Sequence, residues 1–408
     1  MTRHPRARAA RPRAARGRSR VGERFEVEVG PVAHGGHCVA RVPDGEDLRV
    51  VFVRHALPGE QVVLAITEGT DGDRFWRGDA VEVLTASPDR VTAPCVYSGP
   101  GGCGGCDFQH VELGAQRGLK AAVVAEQLRR LAGLDLTVEV EAVPGDDHGL
   151  RWRTRMQYVD LGQADDGARR VGMRKHRSSE VVAIDDCLIA HPEAREPGPG
   201  TLSETVSATT AAGPVGPHDF TVAADGFWQV HPGAPAALVG AVLDALAPRA
   251  GESVLDLYSG VGLFARFLGE AVGADGRVAS VEADRTASGH ARSNLAPLLE
   301  RGTGVEIVCG PVEKVLALRA QEGPDSVDLV VLDPPRTGAK RVVVEQVVSR
   351  SPRAVAYVAC DPAALARDVA IFAEHGYHLT SLRAFDLFPM THHVECVALL
   401  ERAGADPR

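Results

Sequence analysis

Residues 253–265 read SVLDLYSGVGLFA, an apolar strand that runs through a glycine turn into the helical stretch LFARFLGEAV (263–272). Glycines at 260 and 262 let the backbone come close to a ligand held at a helix N-terminus. The strand ends in an acid, Asp256. The next strand ends in another, Glu282, 22 residues after Gly260, where a carboxylate can accept hydrogen bonds from both hydroxyls of a ribose. Five more apolar runs follow: RVASVEA (277–283), VEIVCG (305–310), VDLVVLD (327–333), AVAYVAC (354–360) and HVECVALLE (393–401). Helical stretches lie between them, so residues 218–408 have the α/β pattern of an open, mostly parallel sheet of Rossmann type.

The spacing Gly260-x-Gly262-x-x-Ala265 also fits a dinucleotide fold loosely. Two features weigh against that reading. Asp256 suits a cationic or hydroxylated ligand better than a pyrophosphate, and the fourth strand ends in Asp333-Pro334-Pro335-Arg336, a pattern of nucleic-acid methyltransferases. S-adenosylmethionine is therefore the favoured cofactor. Cys360 closes the fifth strand, at the sheet edge where such folds bind ligands. A strand-end cysteine taken alone is more often a packing residue. The neighbouring Asp333-Pro334-Pro335 makes Cys360 a candidate nucleophile, and a thiol titrating near about 8.5 needs assistance to act as one. Glu395, just inside the last strand, is either a general base or a solvated strand edge. His392 and His393 shape the loop before it. Cys38, Cys309 and Cys396 read as core residues.

Of the eight cysteines, three cluster in a glycine loop, PCVYSGPGGCGGC (94–106): Cys95, Cys103 and Cys106. Eighty residues separate Cys106 from Cys187. Four thiolates can hold zinc or an iron–sulfur cluster. A zinc ribbon shows two close pairs, whereas three-plus-one favours a [4Fe-4S] cluster without deciding the matter. Upstream, RFEVEVGPV, GHCVARV, LRVVFVRHAL, EQVVLAITEG and RGDAVEVL (24–84) are five short strands separated by turns, which predicts a small OB-like barrel over 21–88. Between the two regions come a helix near Leu113–Ala132 and two strand-like runs, 151–162 and 171–184. Residues 193–217, rich in Gly, Pro, Ser and Thr, read as a linker or loop.

At 408 residues, with 44% hydrophobic and 24% charged residues, the chain is long enough for two or three folded domains. No apolar run reaches the ~18 residues of a membrane span, and no apolar segment follows the arginine-rich start. The expectation is a cytoplasmic protein with no membrane association. Residues 1–20 carry eight arginines and no acid against a net charge of −9 for the whole, and read as a disordered basic tail or nucleic-acid arm. No obligate protein partner is evident, so a monomer is expected.

Taken in order, CVYSGPGGCGGCDFQHV (95–111), RWRTRMQYV (151–159), EVVAIDDC (180–187), DGFWQVHP (225–232), LDLYSGVGLF (255–264), VVLDPPRTG (330–338), YVACDPAALARD (357–368) and LFPMTHHVEC (387–396) make the chain resemble the S-adenosylmethionine-dependent RNA uracil-5-methyltransferases. The likeness is strongest to the ribosomal RNA branch with an N-terminal TRAM barrel and a [4Fe-4S] cluster. It implies a tail (1–20), a TRAM barrel (21–88), a small central iron–sulfur and RNA-binding domain with linker (89–217) and a class I methyltransferase domain (218–408). It implies Cys95, Cys103, Cys106 and Cys187 as cluster ligands, and Gln229, Tyr258, Gly260, Gly262, Glu282 and Asp333 around the cofactor. Cys360 would be the nucleophile and Glu395 the proton acceptor, acting on a uridine of 23S ribosomal RNA. The sequence departs from the family's pattern at His231, Leu263, Ala359 and Asp361. Asp361 brings a negative charge next to Cys360. Three other readings compete: a transfer RNA substrate, a non-catalytic RNA-binding assembly factor, and a small-molecule methyltransferase.

Overall fold

The computed structural model describes residues 17–322 and 326–402. It divides into two compact units that meet in sequence between Arg90 and Val91. The first contains β1 (Arg24–Glu28), β2 (Val32–Ala33), β3 (His37–Asp44), β4 (Asp47–Arg54), β5 (Gln61–Glu68) and β6 (Trp76–Thr85), paired in the order β1-β5-β6-β4-β3-β2. The five expected strands are all present. β1 and β2 stand at opposite ends of this order yet are joined by three residues, so the sheet curls into a barrel. Gly30 donates to the Val39 carbonyl at 2.8 Å and Val39 to that of Pro31 at 3.0 Å along the seam. Alternate residues fill the interior, including Val42, Val51, Val53, Val62, Leu64 and Trp76. Most of the arginine-rich segment lies outside the described residues. Its last part does not behave as a tail: Arg20 pairs with Asp71, Asp44 and Glu23, and its guanidinium sits 5.3 Å from the Trp76 ring centre.

The second unit opens with the cysteine loop, then α1 (Leu113–Gln127), a π-helical turn (Leu128–Ala132) and the short β7 (Val140–Ala142). The two expected strand-like runs resolve into more pieces. β8 (Arg153–Arg155) pairs in parallel with β12 (Ala190–Arg195). β9 (Val159–Gln163), β10 (Arg169–Arg174) and β11 (Val181–Ile184) form an antiparallel sheet whose β10–β11 turn breaks the 171–184 run. Residues 193–217 are not a linker. They supply the end of β12, all of β13 (Thr201–Thr210) and the start of β14 (Gly213–Ala223), a long hairpin. Val206, Ala208, Phe220 and Val222 turn one face of it into the core around α2 (Ala234–Leu246). The boundary expected at 217/218 therefore falls inside a strand.

The main sheet has eight strands in the order β17-β16-β15-β18-β19-β21-β20-β7. β15 (Ser253–Leu257), β16 (Arg277–Glu282), β17 (Gly304–Cys309), β18 (Leu329–Leu332) and β19 (Ala354–Ala359) are parallel. β21 (Glu395–Arg402) runs antiparallel between β19 and β20 (Tyr377–Asp386). α2, α3 (Leu263–Val272) and α4 (Arg285–Glu300) cover one face, where they meet Val331, Ala356 and Val358. α5 (Val312–Glu322), α6 (Lys340–Val348) and α7 (Pro362–Glu374) cover the other, where they meet Val330, Leu332 and Val355. β15 has β16 on one side and β18 on the other, so chain connections diverge there and open a crevice at the strand C-termini. β20 and β7 were not expected. Cys309 is exposed, against its reading as core, because it ends the edge strand β17. No helix among the described residues is long and apolar enough to cross a membrane.

The N-terminal part of this unit is built into the main sheet. Val124 and Leu128 join the core beneath α7, and β7 pairs with β20. Lys120, fully buried, donates to Asp386 at 2.6 Å and to the Phe388 carbonyl at 3.1 Å. Removing one partner of such a pair leaves a buried charge uncompensated. Lys120→Ala should lower the unfolding free energy by about 3–5 kcal/mol in urea titrations; an unchanged midpoint would show that the pair contributes nothing.

Candidate active site

The glycine turn after β15 is shaped for close approach. Tyr258, Gly260 and Gly262 all have positive φ, at 62°, 56° and 87°. A Cβ on Gly262 would lie 3.2 Å from Leu295 Cγ as well, so both backbone and space require glycine there. Asn294 on α4 clamps the turn. Its amide donates to the Val261 carbonyl at 2.9 Å and to that of Thr221 at 3.1 Å, and its carbonyl accepts from the Thr221 amide at 2.9 Å. The β13–β14 hairpin thus supports the turn from behind. Leu263 starts α3 and is buried, so its role is packing.

Three carboxylates converge on this crevice. Asp256 Oδ2 accepts from the Ala265 amide at 2.9 Å, while Oδ1 is buried with no hydrogen-bond partner among the described residues. Glu282 accepts from the Gly260 amide at 2.9 Å and from the Asp284 amide at 2.6 Å. Burial pushes Asp256 up to about 8, opposed by the Ala265 hydrogen bond and reinforced by Asp333 and Glu282. Burial, then Glu282, pushes Asp333 up to about 7. Mutually repelling acids at a crevice suit a ligand that brings positive charge, such as a sulfonium or an ammonium, and oppose a pyrophosphate.

The next loop, Asp333–Gly338, is anchored from below. Asp368 on α7 accepts from the Ala339 amide at 2.7 Å and the Tyr357 hydroxyl at 2.6 Å. Because Ala359 pairs with Cys396, continuation of the same register sets Cys360 opposite Glu395. Glu395 is buried, and that burial, reinforced by Asp333 and opposed by Arg336, raises its pKa well above the usual value. Cys360 is half-buried. Burial pushes its thiol up to about 12, Glu395 and Asp333 add to this, and Arg336 opposes it. Asp361, the residue after Cys360, also caps α7, where its Oδ1 accepts from the Ala364 amide at 2.8 Å. Gln229 is half-buried in the loop between β14 and α2, which β8 holds through Thr154 to the Val230 carbonyl at 2.9 Å. His231, in the same loop, is a packing residue, stacked 6.0 Å from Trp152.

Away from this crevice, Cys95, Cys103, Cys106 and Cys187 line one cavity of about 290 Å³, together with Arg153, Met156 and Met173. Two N–H groups face sulfur: Gly105 to Cys103 at 3.4 Å and the Gln109 side chain to Cys106 at 3.5 Å. The loop is glycine-rich because it is tightly seated. A Cβ on Gly102 would stand 2.3 Å from the Tyr97 carbonyl, and one on Gly104 2.4 Å from the His176 nitrogen. Tyr97 ties the loop to the segment before Cys187, donating to Asp185 Oδ2 at 2.9 Å. Among the described residues, no three His, Cys, Asp or Glu side chains stand close enough to hold a single metal ion.

The family model described as tRNA (Uracil-5-)-methyltransferase matches residues 324–403, and that of the TRAM domain matches residues 18–81. An RNA methyltransferase of Streptomyces avermitilis is 47% identical, over 94% of this chain and 99% of its own. The 23S rRNA (uracil(1939)-C(5))-methyltransferase RlmD of Chromohalobacter salexigens is 31% identical over 92% of this chain and 89% of its own. Among solved structures, the Pyrococcus abyssi tRNA (uracil-54, C5)-methyltransferase in complex with S-adenosyl-L-homocysteine has the same fold, with a TM-score of 0.62 at 19% identity, covering 92% of this chain and 100% of its own. The chain belongs to the RNA uracil-5-methyltransferase family, with a class I S-adenosylmethionine-dependent methyltransferase fold and an N-terminal TRAM domain.

The raised Cys360 thiol has a direct consequence for the ligand-free protein. Only its thiolate reacts with iodoacetamide, so alkylation of Cys360 should be slow at pH 8 and still be accelerating above pH 10. Mass spectrometry of the peptide containing Cys360 measures this; a rate that levels off below pH 8 would contradict it.

Proposed function

We propose that this enzyme methylates C5 of a uridine in 23S ribosomal RNA, with Cys360 as nucleophile and Glu395 as base. The observation that carries the proposal is the β19–β21 register, which sets the two side chains side by side at the rim of the crevice. C5 of uracil is a poor nucleophile at neutral pH. Addition of the Cys360 thiolate to C6 gives an enolate with carbanion character at C5. S-adenosylmethionine, when bound, supplies the methyl group that C5 takes. Glu395 then removes the C5 proton, the C5–C6 double bond re-forms and Cys360 leaves. A carboxylate held up by burial accepts that proton more readily than a free one. Glu282 would provide negative charge for the cofactor, whose positive charge would in turn favour the ionised forms of Asp256 and Asp333; Gly260 and Gly262 provide space, and Tyr258 and Gln229 border it. The target base must leave its stack to reach Cys360. Arg174 at the end of β10 and Lys175 and Arg177 on the turn after it, beside the cysteine loop, suit the flanking phosphates.

The ribosomal substrate is supported by the likeness to the Chromohalobacter enzyme along nearly the whole chain. Mapping 5-methyluridine in a deletion strain tests it: loss from 23S ribosomal RNA is expected, and loss from transfer RNA would replace the substrate. Cys360→Ala should bind S-adenosylmethionine and transfer no methyl group. Glu395→Gln should methylate once and remain as a protein–RNA adduct on a denaturing gel; normal turnover would assign the base elsewhere.

The four cysteines would hold a [4Fe-4S] cluster. Their shared cavity and the two N–H···S contacts support this, and a cuboidal cluster spreads its thiolates wider than a single ion does. Its part is to cross-link the glycine loop to the segment ending at Cys187, and methyl transfer needs no electron from it. Anaerobically purified protein should contain about four irons per chain; stoichiometric zinc without iron would overturn the assignment.

A further inference from the structure

The loop between β20 and β21, Leu387–Val394, ends at Glu395 and is gripped from the N-terminal side of the unit. Asp107, adjacent to Cys106, takes hold of it at two heights. The Asp107 and Phe108 amides donate to the Met390 carbonyl, each at 2.9 Å. The Asp107 carboxylate accepts from the His392 amide at 3.1 Å and lies 2.6 Å from His392 Nδ1. Gln116 grips Met390 from the other side, accepting from its amide at 2.8 Å. The His392 and His393 rings lie 4.1 Å apart between centres, and Phe388 meets the His393 ring edge-on at 5.8 Å. His393 Nε2 stands 3.2 Å from an Arg336 guanidinium nitrogen. Guanidinium has only donors, so the imidazole nitrogen accepts, and His393 must be neutral for the bond to exist. Burial, with His392 and Arg336 beside it, pushes His393 down to about 3, which agrees.

Arg336 is exposed and sits on the loop that follows β18, at the rim shared by Cys360 and Glu395. A long, exposed guanidinium samples many rotamers unless something holds it. We propose that His393 is a positioning residue that fixes Arg336 beside the Cys360–Glu395 pair, and that Asp107 keeps His393 in place through His392. The proposal rests on the catalytic reading of Cys360 and Glu395. It gives the cysteine loop a mechanical link to the reacting pair: Cys106, Cys187, Met390, Phe388 and Trp152 share one small core, and Asp107 extends from it. The charged and titratable groups facing this arrangement are Asp333 and Glu395 toward Cys360, and His392, Asp107 and Lys120 toward His393.

The test is steady-state methyl transfer by the full-length protein from radiolabelled S-adenosylmethionine to in-vitro-transcribed 23S ribosomal RNA. His393→Ala should lower kcat about 10- to 100-fold, as expected for a misplaced catalytic-site group, with KM for S-adenosylmethionine unchanged. His393→Gln, which keeps a neutral acceptor, should recover most of the rate. Equal loss in both variants, a wild-type kcat in His393→Ala, or a loss carried by KM would overturn the assignment. A double-mutant cycle tests the link to Asp107. Asp107→Ala combined with His393→Ala should be no slower than His393→Ala alone, whereas independent, multiplying losses would remove the link. If Asp107→Ala does not fold, His392→Phe takes its place in the cycle, keeping a ring and losing Nδ1. A second readout is the rate of covalent capture on RNA containing 5-fluorouridine, whose C5–F bond blocks release of Cys360; His393→Ala should slow capture by the same factor. No transfer and no capture by wild-type protein would count against the catalytic reading itself and not against the positioning of Arg336.

Discussion

β21 is inserted antiparallel between β19 and β20, and its direction decides what stands at the rim of the sheet. Five parallel strands deliver only their C-terminal ends there: Asp256 with its glycine turn, Glu282, Cys309, the Asp333 loop and Cys360. A sixth parallel strand would have delivered one more C-terminus. The reversed strand delivers its first residue instead, so Glu395 arrives next to Cys360 from a part of the chain with a different local environment. Strand side chains alternate between faces, and a slip of one residue in β21 would turn Glu395 to the opposite face and break the pair. The packing of Val397 on one layer of helices and Cys396 and Ala398 on the other holds that register.

Burial at the same rim sets the charge balance. Asp256, Asp333 and Glu395 are all pushed up by burial; Glu282 adds to this at Asp256 and Asp333, and Asp333 adds to it at Asp256 and Glu395. Carboxylates kept apart from water and close together are costly unless a cation joins them. Arg336 is the cation that opposes this trend at both Glu395 and Cys360. A positively charged cofactor would add to its effect on the Asp256 side. The crevice therefore favours a ligand that carries positive charge, on electrostatic grounds independent of any sequence motif.

The residues at strand ends were legible because they follow long apolar runs. A buried parallel strand is a continuous signal, and whatever closes it sits at the rim. The five barrel strands were legible through alternation and turns. The β13–β14 hairpin was not: Thr, Ser, Gly and Pro dominate it, and composition outweighed the alternation of Leu202, Val206 and Ala208. Thr is nonetheless β-branched and suits a half-buried strand. β20 alternates poorly because its last three residues are all buried while its middle is partly exposed, and its pairing with β21 makes it a strand. β7, at three residues, is too short to show any period. That Asp361 also caps α7 was not legible, because a sequence does not show where a side chain turns. The roles of Asn294, Asp368 and Asp107 are likewise contacts across long separations, with no local pattern to mark them.

Those separations bear on how the site forms. The ties that order the loop before Glu395 reach back 266 residues from Asp386 to Lys120, 274 from Met390 to Gln116 and 285 from His392 to Asp107. Arg383 on β20 reaches 242 residues back to Glu141 on β7. Closing loops of this length costs entropy, but the cost rises only logarithmically, and a buried ion pair and a shared core offset it. The segment from Cys95 to Ala142 thus contributes the outer edge of the main sheet, the helix beneath α7 and the grip on the Leu387–Val394 loop. A methyltransferase domain beginning at residue 218 would retain the glycine turn, Glu282, Asp333 and Cys360, yet lack every one of these ties. Its cofactor crevice would be assembled from its own strands, while the loop that delivers Glu395 would lose its anchors on one whole side. The division that matters physically is therefore between the barrel and everything after Arg90, because the Cys360–Glu395 juxtaposition depends on both ends of that second unit.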